Sequence, residues 1–506
     1  MPGTRTARWT CVALLAALAA ASPAAAHGPS PARYVDCSAR HPGDGTPWRP
    51  FNSLAQASAV RLRPGSRLLL RRGTSCTGLL APTGSGSAWR PAVIGAYGRG
   101  PLPHVEGAAE DAVLLKDMSH VTLTSLELTN RGEGEARRRG VHVVATSGVA
   151  QGVTLRDLWI HDVQGDLAKD AGGSGGIQVD VLGPEPTRFD DLLIERNLIA
   201  DVSRSGIFVV GTADGDRPRA TEPWPAASTR VRVRANRLLR LGGDGIVPLG
   251  TVGAVVEHNV VSEGNLRGRA LSDPRGMICN AGIWAFHANG TVIQRNEVFA
   301  MRFNGCDGSG YDVDYDQDGT IVQYNLSHDN EGGFILFCTD AQPRTAKVRF
   351  NLSVDDRFAA NQSPCSLQPG STYEGVSLVN NTFVAPSITW GILGTPTAGL
   401  LNPALEVRNN LFHATAPQTT ALGCSERCSN NLFSGLPPAG AAAVSADPLF
   451  ADPGRRGRGL LYVGSGFRLR PGSPAIGAGT PVPGLPAWDY FGRRVTSPPA
   501  IGFSQR

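Results

Sequence analysis

Outside its first 26 residues the chain has no apolar run close to the ~20 residues of a membrane-crossing helix. It also lacks a heptad pattern, a long amphipathic helix, a glycine-rich phosphate loop between strand and helix, and a nucleophile elbow. Coiled coils, dinucleotide-binding folds and elbow-type serine hydrolases are thereby excluded. Charge is sparse: 48 Lys and Arg stand against 43 Asp and Glu in 506 residues, a net +5 with 18% of residues charged. No basic field is available for nucleic acid or an anionic membrane, so neither is expected as a partner. None of the nine cysteines has zinc-ligand spacing; Cys424 and Cys428 have no second pair and no histidine nearby.

What is present points to strands. The sequence is 41% hydrophobic, enough for a large core, and its 62 Gly and 37 Pro favour many turns and short strands. Residues 1–26 carry Arg5 and Arg8, an apolar run from Val12 to Ala21 and a small-residue exit, which reads as a secretory signal peptide. Its removal takes Cys11 and leaves an even eight cysteines, as expected of disulfides in an exported protein. The expected pairs are Cys37 with Cys76, Cys279 with Cys306, Cys338 with Cys365 and Cys424 with Cys428, one of many connectivities that eight cysteines allow.

From Val121 a pattern recurs at intervals of 21 to 39 residues, as in VTLTSLEL, LLIERNLI, AVVEHNVV, TIVQYNLS and LEVRNNLF. Leu126 and Leu158 hold its pivot first, then Asn197, Asn236, Asn259, Asn296, Asn325, Asn351, Asn381 and Asn410, with Asn431 trailing. Between these segments lies a second strand led by glycine: GVHV at Gly140, GIQV at Gly176, GIFV at Gly206, GIVP at Gly245, GIWA at Gly282, GYDV at Gly310 and GFIL at Gly333. Two or three short strands per repeat make a stacked solenoid. The asparagines are expected to take left-handed turn positions and to bond from rung to rung. The expectation is an all-β, right-handed parallel β-helix over residues 111–435, with an N-terminal cap at 27–110 and a C-terminal cap at 436–506.

These repeats, with DPLF at Asp447, FRLRPGSPAIGAG at Phe467 and AIG at Ala500, resemble the right-handed parallel β-helix proteins of the pectate-lyase-like superfamily. The resemblance covers nearly the whole mature chain and implies an elongated carbohydrate-binding groove along one sheet. It does not specify the chemistry, because the fold hosts lyases, hydrolases, epimerases and adhesins.

The chemistry is sought in Gly305–Gly333, which packs Asp307, Asp312, Asp314, Asp316, Asp318, Asp329 and Glu331 into one coil. On a strand, Asp312, Asp314 and Asp316 share a face, a costly arrangement unless a proton, a cation or a substrate sits there. Stacking the Gly-led strands puts Trp284 and Phe286 on one side of Asp312 and Asp314, and Ile335 and Phe337 on the other. Two acids in an apolar frame suit glycoside hydrolysis, and strand spacing of about 6.6 Å leans towards inversion. Asp312, Asp314, Asp316, His328 and Asp329 are the expected catalytic residues, and Gln178, Asp180, Trp284 and His287 the expected substrate contacts. Alternatively Asp312, Asp314, Asp316 and Asp318 bind calcium. The expected function is a secreted, monomeric polysaccharide hydrolase needing no cofactor. Its alternatives are a calcium-assisted polysaccharide lyase and a non-catalytic carbohydrate-binding protein.

Overall fold

The structure is a computed structural model that describes Gly3 and residues 32–505, apart from 134–135, 170–171, 214–226, 268–278, 304–306, 315, 339–344, 364–374, 393 and 398–401. Short strands stack in register into three long sheets of 18, 14 and 11 strands, with a two-stranded piece near the start. Strand pairing is parallel from rung to rung, and among the described strands only Trp390–Ile392 with Thr395–Thr397 runs antiparallel. Parallel neighbours one coil apart on three faces make a parallel β-helix, right-handed as parallel crossovers are.

Alternation along each strand fills the interior. Ile177 and Val179, Ile207 and Val209, and Tyr311 and Val313 all point into one continuous core. Phe383, Phe412 and Phe433 stack down its axis, with ring centroids 5.1 and 5.4 Å apart.

The asparagines form the expected ladder. Asn236 Oδ1 accepts from the backbone and side-chain N–H of Asn197, at 3.0 and 2.9 Å. The same pair of bonds links Asn259, Asn296, Asn325, Asn351, Asn381, Asn410 and Asn431 in turn. Their backbone role differs from the expectation. The left-handed conformation belongs to the residue before each asparagine: Arg196, Ala235, His258, Arg295 and Tyr324 all have φ between 53° and 59°. The asparagine is needed for its amide, which satisfies backbone groups buried inside the turn.

Cys37 and Cys76 are bonded near the start of the described stack, and Cys424 with Cys428 near the other end. Cys279 and Cys338 are disulfide-bonded; Cys306 and Cys365, their expected partners, lie outside the described residues. The C-terminal segment lies along the flank of the stack. Phe450, Phe467, Tyr490 and Phe503 pack on Leu326, Leu352, Leu411 and Leu432, the outward residues of the 14-stranded sheet. That sheet face is therefore covered, whereas the outer face of the 11-stranded sheet carries the acidic residues.

Candidate active site

The 11-stranded sheet is built from the Gly-led strands. Tyr311 and Val313 enter the core, which turns Asp312 outward, in register with Trp284 on one rung and Leu336 on the next. The flanking pair is thus Leu336 and Cys338, not Ile335 and Phe337, which are core residues. The slip arises because Phe334, not Gly333, takes the place of the repeat glycine: Tyr311 N donates to Phe334 O, as Ile283 N does to Gly310 O. A one-residue shift exchanges the faces of every following side chain.

Asp312 and Asp314 stay together on the outer face. Asp312 is 3% and Asp314 7% exposed. Burial raises the Asp312 pKa well above the carboxylate range, and the negative charges of Asp314 and Asp307 add to it. Its Oδ1 has no hydrogen-bond partner among the described residues. Asp307 joins them electrostatically: burial pushes it up to about 7 even though Ser309 N donates to its Oδ1 at 2.9 Å. The neighbouring negative charges thus disfavour ionising Asp312 while Asp307 or Asp314 is charged.

Beside the acids lies a carboxylate that the sequence reading overlooked. Asp244 is fully buried and accepts from Trp284 Nε1 at 2.9 Å, Ala281 N at 3.1 Å and Arg204 Nη1 at 3.2 Å, with Lys169 Nζ 3.4 Å away. One signal was available: of the residues preceding the repeat glycines, Arg139, Gly175, Ser205, Asp244, Ala281 and Ser309, only Asp244 is acidic. Trp284 is 4% exposed, stacked on Phe286 at 5.0 Å with Lys169 Nζ 4.3 Å from its ring centre. It orients Asp244 and offers no open face to a sugar.

The other expected site residues are dispersed. Asp316 sits in a turn with φ of 50° and its Oδ2 is 2.5 Å from Nδ1 of the buried His287. Asp318 belongs to the 18-stranded sheet and accepts from Thr345 Oγ1 at 2.5 Å. His328 lies on the 14-stranded sheet, stacked on Phe299 and bonded to Glu297 and Asp329; that sheet does not carry Asp312. Gln178 and Asp180 share the outer face with Asp312 four rungs away, bonded to each other at 2.9 Å, with Asp180 also 2.8 Å from His142. Sequence adjacency misled here because the chain turns to a new sheet every few residues.

Among the described residues the one metal-like group is Asp312, Asp314 and Cys338, with donor atoms within 4.8 Å of one another. The Cys338 sulfur belongs to a disulfide, so it is no thiolate and its 2.7 Å contact with Asp314 Oδ1 is not a thiol hydrogen bond. Two carboxylates and a disulfide sulfur fall far short of the six to eight oxygens that calcium takes. Asp316 and Asp318 do not join this group, so the four aspartates expected to bind calcium do not form one site. The same closeness argues against Asp312 and Asp314 acting across a water as an inverting pair, which needs roughly 6.5–9.5 Å.

The raised carboxyl groups carry a stability consequence. Asp307 at about 7 and the buried Asp356 at about 6 both lie above the ordinary value of 3.8. The folded protein therefore holds protons that the unfolded chain releases. Their contribution is fully present below about pH 4 and is lost as pH rises through about 6 to 7. His328 acts in the same direction: burial pulls its pKa down, but bonds to Glu297 and Asp329 bring it above the usual histidine value. The Tm should fall by several degrees between about pH 5 and pH 8, as scanning calorimetry would show.

Fold and site together define a right-handed parallel β-helix with a buried acidic group on one outer sheet face. A family model described as a right handed beta helix region matches residues 187–384. The lacto-N-biosidase of Bifidobacterium longum subsp. longum is 28% identical over 486 residues, an alignment covering 78% of this chain and 29% of that protein. The chain thus spans under a third of this relative's length. Among solved structures, the GH136 lacto-N-biosidase from Eubacterium ramulus, as its selenomethionine derivative, is similar with a TM-score of 0.62 and 26% identity, over 71% of this chain and 65% of that one. Its native form gives 0.59 and 24%, over 71% and 68%. No described helix is long and apolar enough to cross a membrane.

Proposed function

We propose that the chain is a secreted glycoside hydrolase acting on oligo- or polysaccharides, with Asp307, Asp312 and Asp314 as its acidic centre. The observation that carries this reading is two buried aspartates, Asp312 and Asp314, side by side at one outer sheet face, with a third buried aspartate, Asp307, poised at about 7, whose charge bears on Asp312. Hydrolysis of a glycosidic bond needs one carboxyl group that gives a proton to the leaving oxygen and a second, ionised, that attacks the anomeric carbon or activates water. Asp307, poised at about 7, is the proton donor and Asp314 the ionised partner, with Asp312, whose pKa burial raises furthest from the carboxylate range, the neighbour that keeps charge low. Similarity to two lacto-N-biosidases supports the glycosidase class and makes a lacto-N-bioside the first substrate to try.

A polysaccharide lyase is the second reading, favoured by Lys169. Burial pulls its pKa below the lysine range, against the opposing pull of Asp244, so it would serve as the base of an elimination. The test is mass spectrometry of products after incubating the purified protein with a chromogenic lacto-N-bioside and a panel of neutral and acidic glycans, with and without a chelator. Hydrated products that persist in the chelator are expected. Unsaturated products would establish the lyase, and no product from any glycan would leave a binding protein.

A further inference from the structure

We infer that the N-terminal part of the solenoid carries a docking site for an anionic polysaccharide, with Trp48 and Trp89 as stacking platforms among exposed arginines. The choice of a glycan as the anion rests on the glycosidase reading; the site itself is separate from the acidic centre.

A repeated turn is the first observation. GTPWRP at 45–50 and GSAWRP at 86–91 share one pattern, and both fold as tight turns closed by antiparallel bridges, Thr46 with Arg49 and Ser87 with Arg90. Each turn carries its tryptophan at the third of four positions, 91% and 95% exposed, more than any other large apolar side chain among the described residues. Backbone bonds hold them out in water: Gly45 N donates to Arg49 O at 2.9 Å, and Ser87 and Arg90 exchange two bonds of 3.0 Å. The turns share one corner of the solenoid. The first leads into Phe51, which bridges Val35; the strand Ala32–Val35 pairs with Arg67–Arg71, and that strand with Ala92–Tyr97, which the second turn opens. Three strand spacings of ~4.8 Å separate them, about 14 Å, so one polymer chain reaches both. One rung further on, the same corner takes the chain from Asp111–Lys116, in the 11-stranded sheet that carries the acids, to Val121–Thr124.

Charge is the second observation. The near balance over the whole chain conceals a segregation: residues 27–110 hold ten arginines against four acids, whereas residues 111–506 hold 36 basic against 39 acidic residues. The corner itself gathers Arg49, Arg61, Arg63, Arg67 and Arg90 around one acid, Asp44. Asp44 lies 3.5 Å from Arg49, with both side chains more than half exposed. Arg61, Arg63 and Arg67 are exposed, and neither they nor Arg90 make an ion pair among the described residues. The turn at 63–66 lies between the two tryptophan turns, and its Gly65 N donates to Arg90 O at 2.8 Å. Like charges held this close repel until an anion meets them. A sugar ring stacks on an indole face, and a carboxylate or sulfate on that ring takes the paired N–H groups of a guanidinium. A neutral glycan leaves the arginines unused, and a small anion leaves the tryptophans unused.

The test measures the Kd of the purified protein for polygalacturonate, heparin, dextran, a single-stranded oligonucleotide and phosphatidylserine vesicles, at low and high salt. Polygalacturonate or heparin should bind more tightly than the other three probes, and more weakly as salt rises. Trp48→Ala and Trp89→Ala should each weaken that binding about tenfold, and the double variant should weaken it further. Arg63→Ser combined with Arg67→Ser should flatten the salt dependence. The substituted side chains are exposed, so Tm and the hydrolysis of a small chromogenic glycoside should match the parent. No binding to either acidic glycan, an unchanged Kd in the double tryptophan variant, or equal or tighter binding of dextran, the oligonucleotide or the vesicles would overturn the inference. If the wild type cleaves no glycan while these differences hold, the glycosidase reading falls and the docking site stands.

Discussion

Asp307→Asn and Asp314→Asn should each lower kcat by at least about a thousandfold while leaving the fold intact, whereas Asp312→Asn should cost only about tenfold. The difference follows from protonation. An asparagine is nearly isosteric with a neutral aspartic acid, and burial keeps Asp312 neutral, so its amide preserves shape and charge alike. Asp307, poised at about 7, can exchange a proton near neutrality; an amide cannot. Asp314, the least buried of the three, must be ionised at some point in the cycle, and its amide removes that state. Asp307→Asn and Asp312→Asn each replace a carboxyl group whose pKa burial raises, so their Tm should stay near or above the parent value at neutral pH. Steady-state kinetics with a chromogenic glycoside, alongside circular dichroism, decides the matter. A dead Asp312→Asn with an active Asp307→Asn would restore the pair expected from sequence and remove Asp307 from the centre.

Asp244→Ala should destabilise the protein by about 3–5 kcal/mol, the usual result of removing one partner from a buried ion pair. The loss takes a carboxylate partner from Arg204, 1% exposed, and removes the acceptor of Trp284 Nε1 and Ala281 N. Each orphaned donor costs free energy that water cannot recover inside the loop layer. Asp244→Asn retains an acceptor oxygen and should cost less. Urea unfolding followed by tryptophan fluorescence measures both, because Trp284 reports directly on the lost bond. A change below about 1 kcal/mol for the alanine variant would show that the carboxylate is dispensable.

The repeat was legible because it is a local pattern with a physical period. Alternation of apolar residues in VTLRDLWI or LEVRNNLF can be buried only on a strand, and the recurring asparagine only inside a stack. The site was harder to read. Asp312 and Asp314 stood out because they are neighbours in sequence and on one strand, but the same proximity wrongly drew in Asp316, Asp318 and His328. In a three-faced coil, three or four residues are enough to pass from one sheet to the next, so Asp318 and His328 leave the face that Asp312 occupies. Lys169 and Asp244 come from rungs far off in sequence and carry no motif of their own.

From the sequence alone follow the solenoid, the alternation along its strands, the asparagine ladder and the acidic coil, since all depend on interactions between a residue and its own repeat. Only the tertiary structure decided the register at Phe334, the raised pKa of Asp312 and the meeting of Lys169 and Asp244 with the acids. Those depend on how deeply a group is buried and which distant charges face it, quantities that arise only when separate rungs and the connections between them close over one another.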